Sequence, residues 1–270
     1  NFNAHYGTFN MVTAAAFFSM INFSVTENKI ITATTVVTGE GDSITLDGRR
    51  VWLPSGAQFS RPINLNGAMN ASAFIVYSFP WEPISGLKLN VNTNANVMFN
   101  RDISQINGAD NIANSWIATP SLGFVSNISE NTDFSLSASS ALNTIQNSIQ
   151  SELNQTYYTH TIRAGTTMIL KDSSDFWNGW LFTGDFSYIM TSGFASGFNQ
   201  SVPLLNLGIG KRILDGQGEF KLSVFDLLNQ NNSITRNTGS GYIEDLQTNV
   251  LQRYFLLNFT YNLRNWSGGK

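Results

Sequence analysis

Leu87-Lys88-Leu89-Asn90-Val91-Asn92-Thr93-Asn94-Ala95-Asn96-Val97-Met98-Phe99-Asn100 sets asparagine at positions 90, 92, 94, 96 and 100 between mostly apolar or small residues. A side-chain period of two belongs to an extended strand with two unlike faces. The asparagine row needs hydrogen-bonding partners, so it faces water or a polar lumen. The opposite row, Leu89, Val91, Thr93, Ala95, Val97 and Phe99, faces either a protein core or lipid. That alternative decides the class of the protein.

Composition favours lipid. Of 270 residues only 12% are charged while 42% are hydrophobic, against a charged share of about 25% in soluble domains. Asn and Ser supply the polarity instead. A soluble surface is rich in Lys, Arg, Glu and Asp, whereas a barrel wall in lipid needs little charge over most of its area. The net charge of -3, with no basic patch, argues against nucleic acid as a partner. The longest mostly apolar stretch, Met11 to Ile21, is broken by Thr13 and Ser19 and is shorter than the ~20 residues of a spanning helix. The chain opens on Asn1 without a basic n-region or a cleavage-type apolar region, and reads as a mature form or a fragment. The absence of cysteine is compatible with an oxidising envelope compartment.

The two-faced pattern recurs. Gln217, Glu219, Lys221 and Ser223 alternate with Gly218, Phe220, Leu222 and Val224, which predicts Leu222 toward lipid and Lys221 toward the lumen. Phe255, Leu257, Phe259, Tyr261 and Leu263 stand opposite Asn258, Thr260 and Asn262. Leu205, Leu207 and Ile209 alternate with Asn206, Gly208 and Gly210, and similar faces run through Leu65 to Phe79 and Trp180 to Met190. Weaker versions cover Phe17 to Val25, Ile30 to Val37, Trp116 to Ser126, Phe134 to Leu142 and Tyr158 to Leu170. Together they predict about eleven strands, most long enough for the ~9 to 11 residues that cross a bilayer at a tilt.

The connections alternate in length. Thr26 to Lys29, Pro80 to Gly86, Asn127 to Thr132 and Leu214 to Gly216 are short, with Lys171 to Gly179 a little longer. Gly39 to Ile63, Arg101 to Ser115, Asn143 to Tyr157, Gly193 to Val202 and Leu228 to Val250 are longer and polar. Outer-membrane barrels sort periplasmic turns from extracellular loops in this way. Aromatic residues gather near segment ends, at Phe79 with Trp81, Trp177 with Trp180, Tyr157 with Tyr158, Tyr254 with Phe255, and Trp266, as interfacial girdles require. One stretch breaks the pattern. Leu142, Ile145, Ile149 and Leu153 recur at helical spacing, which predicts a short amphipathic helix within Ala141 to Gln155, placed in a long loop.

The last sixty residues are the most specific. Gly210-Lys211-Arg212, then Gly218-Glu219-Phe220-Lys221-Leu222-Ser223-Val224-Phe225-Asp226-Leu227-Leu228-Asn229-Gln230-Asn231, Tyr242-Ile243-Glu244-Asp245, Asn249 to Phe255 and Phe259 to Leu263 closely resemble the C-terminal end of the outer-membrane β-barrel family related to TonB-dependent receptors. Weaker similarity extends upstream through Thr119-Pro120-Ser121-Leu122-Gly123 and Ser126 to Glu130, to roughly Phe17. The resemblance implies an antiparallel up-and-down transmembrane barrel of about 22 strands whose lumen holds an N-terminal plug. Here there is neither plug nor TonB-box-like leader, and about half that strand count, so residues 1–270 are expected to be the C-terminal half of such a barrel. The resemblance further implies an integral outer-membrane protein of a Gram-negative cell with a periplasmic C-terminus. Its partners would be lipid, the barrel-assembly machinery at the terminal strand Tyr254 to Leu263, TonB through an upstream region, and other envelope proteins. It carries over no ligand-binding residue.

Catalytic, cofactor and metal sites are not evident. His5 lies in the N-terminal stretch, and His160, in a row with Tyr158 and Ile162, reads as a girdle residue, not the base of a hydrolase. Asp172 and Asp175 flank Ser173 and Ser174 without the spacing or distal Glu of a calcium loop. Gly208, Gly210 and Lys211 match a phosphate loop only in part and read as small residues facing a barrel interior. Glu244 and Asp245 sit in the last long loop without an assigned role. Uptake of a ligand across the outer membrane is the first functional expectation, and a structural barrel subunit of a larger complex the second. A soluble sugar-binding sandwich is a distant third.

Overall fold

The computed structural model describes residues 1–263 apart from 47–48, 130, 150, 172–175, 195–197, 215 and 240–241. The described residues form β1 (Phe2–Asn10), β2 (Ala15–Thr26), β3 (Lys29–Val36), β4 (Asp42–Leu46), β5 (Arg49–Leu53), β6 (Gln58–Leu65), β7 (Ala68–Ile84), β8 (Leu87–Ile106) and β9 (Ala109–Ser129). There follow β10 (Thr132–Asn147), a 3-10 turn at Ser151–Leu153, β11 (Gln155–Ile169), β12 (Trp180–Ser192), β13 (Ser201–Ile213), β14 (Gly218–Phe225), β15 (Ser233–Gly239), β16 (Tyr242–Thr248) and β17 (Tyr254–Tyr261).

The wall is an antiparallel path β1-β2-β7-β8-β9-β10-β11-β12-β13-β14-β17 in which each strand pairs with the next wall strand in the chain. Residues directly opposite in such a ladder share a face, so one known residue assigns the others. From Leu222 the apolar face runs through Leu257 on β17, Ile209 on β13, Phe182 on β12 and Met168 on β11. On the other side of the wall it holds Phe124, Val91, Phe79 and Phe17. Its large side chains are unusually bare: Leu257 is 68% exposed, Phe259 54% and Leu222 46%. The opposite face carries Asn90, Asn92, Asn94 and Asn96 beside Thr119, Ser121 and Gly123, then Ser135, Ser137 and Ser139 beside Thr161 and Gly165. The asparagine row therefore lies where its spacing predicts, and Lys221 and Leu222 lie on opposite faces.

Eleven strands line this path, but they are not the expected eleven. Ile30 to Val37 is not in the wall. It forms β3, which pairs antiparallel with β6 and touches β8 in parallel at Ala33–Gln105 and Thr34–Ile106. Its place is taken by β1, whose apolar-face row of Phe2, Ala4, Tyr6 and Thr8 is too mixed to show in the sequence. One consequence is a reversal of direction. Phe17 to Val25 runs antiparallel to β7 as the second strand, and therefore opposite in direction to β17, whereas counting it as the first of eleven strands predicts the same direction for both.

The chain thereby crosses itself. In the wall the neighbour of β8 is β7, with β2 beyond; further up, the neighbour of β8 is β3, with β6 beyond. The arms exchange places at residues 27–28 and 66–67, where Asn28 N–H donates to Asn66 Oδ1 at 2.6 Å. Gly67 has φ +105°, and a Cβ there would sit 3.1 Å from Ile103 Cδ1, so close approach and backbone together require glycine. Ile31, Ala33, Val37, Ala68 and Ile103 are all buried around the exchange, giving it a small core of its own.

Connections at one end of the wall are residues 11–14, 85–86, 131, 170–171 with 176–179, and 214 with 216–217; those at the other are generally longer. The expected loop Arg101 to Ser115 is an exception, because β8 and β9 continue to a two-residue turn at Asn107-Gly108 with φ +50° and +80°. Asn-Gly with both residues left-handed is the favoured tight hairpin turn. Gly39 to Ile63 contains β4, β5 and most of β6, and Leu228 to Val250 contains β15 and β16. The predicted helix in Ala141 to Gln155 is not formed. β10 extends to Asn147, only Ser151–Leu153 is helical, and the cross-strand partners of Leu142 and Ile145 override their helical spacing.

Candidate ligand groove beneath the last hairpin

At the end of β14 the chain folds into a knot. Asp226, 4% exposed and with φ +49°, accepts the N–H groups of Gln230 (Oδ1) and Asn231 (Oδ2), each at 2.9 Å. Its own N–H donates to Asn206 Oδ1 at 2.9 Å. Asn231 Nδ2 then donates to Leu251 O, and Arg253 N–H to Asn229 Oδ1. The run Asp226 to Asn231 thus ties both ends of the last long connection to the top of β13 and β14. The sequence showed the motif but not its use, because the contacts span up to two dozen residues.

Beyond this knot, β15 and β16 form a hairpin that, among the described residues, pairs with no wall strand. Arg236 anchors it. Its side chain is 4% exposed and forms a two-pronged ion pair with Asp245, 2.6 Å at each contact. The same guanidinium donates to Gln155 Oε1 at 3.1 Å and Gly193 O at 3.3 Å, and lies 4.3 Å from the centre of the Phe194 ring. Gln200 Nε2 adds a bond to Ile234 O at 2.8 Å. The Arg236 hydrogen bonds, aided by its charge, hold the Asp245 carboxyl below the ordinary Asp value against the opposing effect of burial. Gln155 keeps its other amide atom, Nε2, buried without a partner.

Between hairpin and wall lies a groove of about 440 Å³, within the usual size range of ligand pockets. The wall contributes Asn143, Tyr157, Thr159, Thr191 and Gln200 with a strip of Ile189, Val202 and Leu204, and the hairpin side contributes residues 231–236. A smaller cavity of about 190 Å³, reaching to Asn100, Asp102 and Ser115, shares Asn143 and Tyr157 with it. From there the amide and hydroxyl face of the wall leads away toward the short-turn end.

The sequence candidates do not converge. His5 lies on the polar face of β1 opposite Met20. His160 lies on the apolar face, stacked on Tyr158 at 6.0 Å. Gly208 and Gly210 are on the polar face while Lys211 is on the apolar one, 5.5 Å above the Trp180 ring and donating to Phe176 O and Asn178 O. Asp172, Ser173, Ser174 and Asp175 lie outside the described residues, as does Trp266. Glu244 accepts from Asn237, and Asp245 has the anchoring role above. Among the described residues no three His, Asp or Glu side chains gather as metal ligands. The aromatic pairs divide too. Tyr158 and Phe255 take the apolar face, whereas Tyr157 turns to Phe194 at 5.1 Å and Tyr254 stacks on Phe225 at 4.8 Å.

A long antiparallel sheet with one bare apolar face, aromatic near its ends, and one face of amides and hydroxyls has the construction of an outer-membrane barrel wall. The chain belongs to the outer membrane protein beta-barrel family, whose model matches residues 105–261. The match runs from within β8 to the last residue of β17. No curated protein and no solved structure matches the chain.

Proposed function

We propose that this chain is part of the wall of a larger, TonB-dependent-receptor-like barrel that takes up a ligand across the outer membrane. The observation that carries the reading is the groove between the last hairpin and the wall, opening onto the polar face at the long-connection end. The apolar face meets lipid. From Trp180 to Tyr188 the strand advances roughly 20 Å along the membrane normal, at about 3.3 Å per residue and about 40° tilt, which suits the ~25 Å apolar band of such barrels. With the C-terminus in the periplasm, the groove faces outward. The reading gives the chain no enzymatic role.

Both ends of the wall path support a larger barrel, since β1 pairs only with β2 and β17 only with β14 among the described residues. With eleven strands the two end strands run the same way, so closing the path on itself makes a parallel seam. An odd number of further strands gives an antiparallel closure, and eleven gives the 22 of the TonB-dependent plan. Upstream residues of the same polypeptide supply them, with a plug and the segment that meets TonB.

The test is the native protein extracted from outer membranes. A polypeptide far larger than 29.8 kDa, crosslinking to TonB through a segment upstream of Asn1, is expected. A native chain of that size held in a stable complex with other envelope proteins, with no TonB contact, replaces uptake with a structural subunit.

A further inference from the structure

Resting on the uptake reading, we infer that the groove under the β15–β16 hairpin binds a neutral, hydroxyl-rich ligand of the saccharide class. The first ground is charge. Among the described residues that line the groove, Arg236 is the one that carries a charge, and it is neutralised by two-pronged contact with Asp245. A groove built for an anion or a cation keeps an uncommitted opposite charge, as charged rings do in selective pores. This one offers amides and hydroxyls: Asn143, Thr159, Thr191, Asn232, Ser233 and Thr235. The second ground is shape. The strip of Ile189, Val202 and Leu204 lies beside those polar groups, a pairing that fits a ring with hydroxyl edges and C–H faces.

The wall below agrees with this chemistry. From Asn90 to Asn96, through Ser121, Ser135, Ser137 and Ser139, the polar face offers neutral donors and acceptors, and its mid-wall charges Arg163 and Asp185 are of opposite sign on adjoining strands.

The test uses the full native protein in detergent, with thermal stabilisation measured against neutral malto-, xylo- and cello-oligosaccharides and against citrate and spermidine. Stabilisation by a neutral oligosaccharide, weakened at least tenfold by Asn143→Ala and by Thr159→Val, is expected. Folding of each variant is checked by heat-dependent gel mobility, and Asn232→Ala, on the hairpin side, serves if a wall variant misfolds. Stabilisation by citrate or spermidine instead overturns the ligand class and leaves uptake standing. No stabilisation by any oligosaccharide overturns the site. Saccharide binding without TonB contact in the native membrane sinks the uptake reading and keeps the site.

Discussion

Lys221 and Leu222 are neighbours in the chain and face different surroundings. Leu222 is 46% exposed on the apolar face between Ile209 and Leu257, while Lys221 shares the polar face with Asn258. A charge in the lipid-facing row costs roughly 2 to 4 kcal/mol near the bilayer midplane and far less on a wet face. Leu222→Arg should therefore sharply lower the folded, heat-modifiable fraction, and Asn258→Arg should leave it nearly unchanged; equal loss for both removes the face assignment. Ser223 is a poorer probe of wetness because it is 8% exposed, packed beside Gly208. A Cβ at Gly208 would lie 2.5 Å from Thr183 Oγ1 and 2.8 Å from Lys221 Cε. Gly208→Val is expected to destabilise the wall by about 1 to 3 kcal/mol through overpacking, read as a lower midpoint in urea, with Gly123→Ala, whose Cβ meets nothing nearer than 3.7 Å, for comparison.

The hairpin of β15 and β16 depends on one buried ion pair, and the crossed arms of β2–β3 and β6–β7 do not. Lys29 and Asp102, 2.6 Å apart across the exchange, have side chains 38% and 33% exposed, and such pairs contribute little. Backbone pairing and the packing of Ile31, Ala33 and Ile103 hold the exchange instead. The Arg236 and Asp245 side chains are only 4% and 12% exposed, and hydrogen bonds to charged groups contribute about 1.5 to 3 kcal/mol. Since the folded carboxyl of Asp245 titrates below its unfolded value, the stabilisation is complete above the ordinary Asp range and is lost as pH falls through the lowered folded pKa. Protease cutting in residues 237–244 should stay constant from pH 7 to 5 and rise only below about pH 4, using an acid-active protease at the low end. Asp245→Asn should give fast cutting at every pH. Early loosening near pH 6 counts against the Arg236–Asp245 ion pair as the anchor of the hairpin. The Asn107-Gly108 dipeptide is a hairpin signal that the expected loop from Arg101 to Ser115 passed over, whereas the crossing carries no such signal, because β3 has the same alternation as a wall strand and only its partner differs.

For the whole molecule, the two end strands set the problem. An edge left in lipid leaves backbone groups unpaired at several kcal/mol each, so β1 and β17 need partners. Cysteines at Tyr6 on β1 and at Phe259 on β17 should not crosslink to each other in the native membrane. An efficient Tyr6 to Phe259 disulfide within one chain means a small barrel closed on a parallel seam. The terminal strand makes a separate demand. Phe259 lies 4.6 Å from Phe220, and Tyr261 donates to Gln217 at 3.2 Å, so replacing both by Asn should lower the amount inserted by the assembly machinery. Unchanged insertion assigns recognition elsewhere.

Side-chain period two, the low charge and the asparagine row were enough to define a two-faced antiparallel sheet, because alternation is a local property of each strand. The terminal motif was enough to point to an outer-membrane β-barrel family. Pairing was not written locally. That β1 and not β3 belongs to the wall, that β2 and β7 exchange positions with β3 and β6, and that Tyr157 and Tyr254 turn away from the lipid face follow from register with strands up to about seventy residues distant. The groove is of the same kind. Arg236, Gln155, Gly193 and Asp245 meet only when the last hairpin folds back over β11 and the β12–β13 connection, and no spacing between them in the chain encodes that meeting.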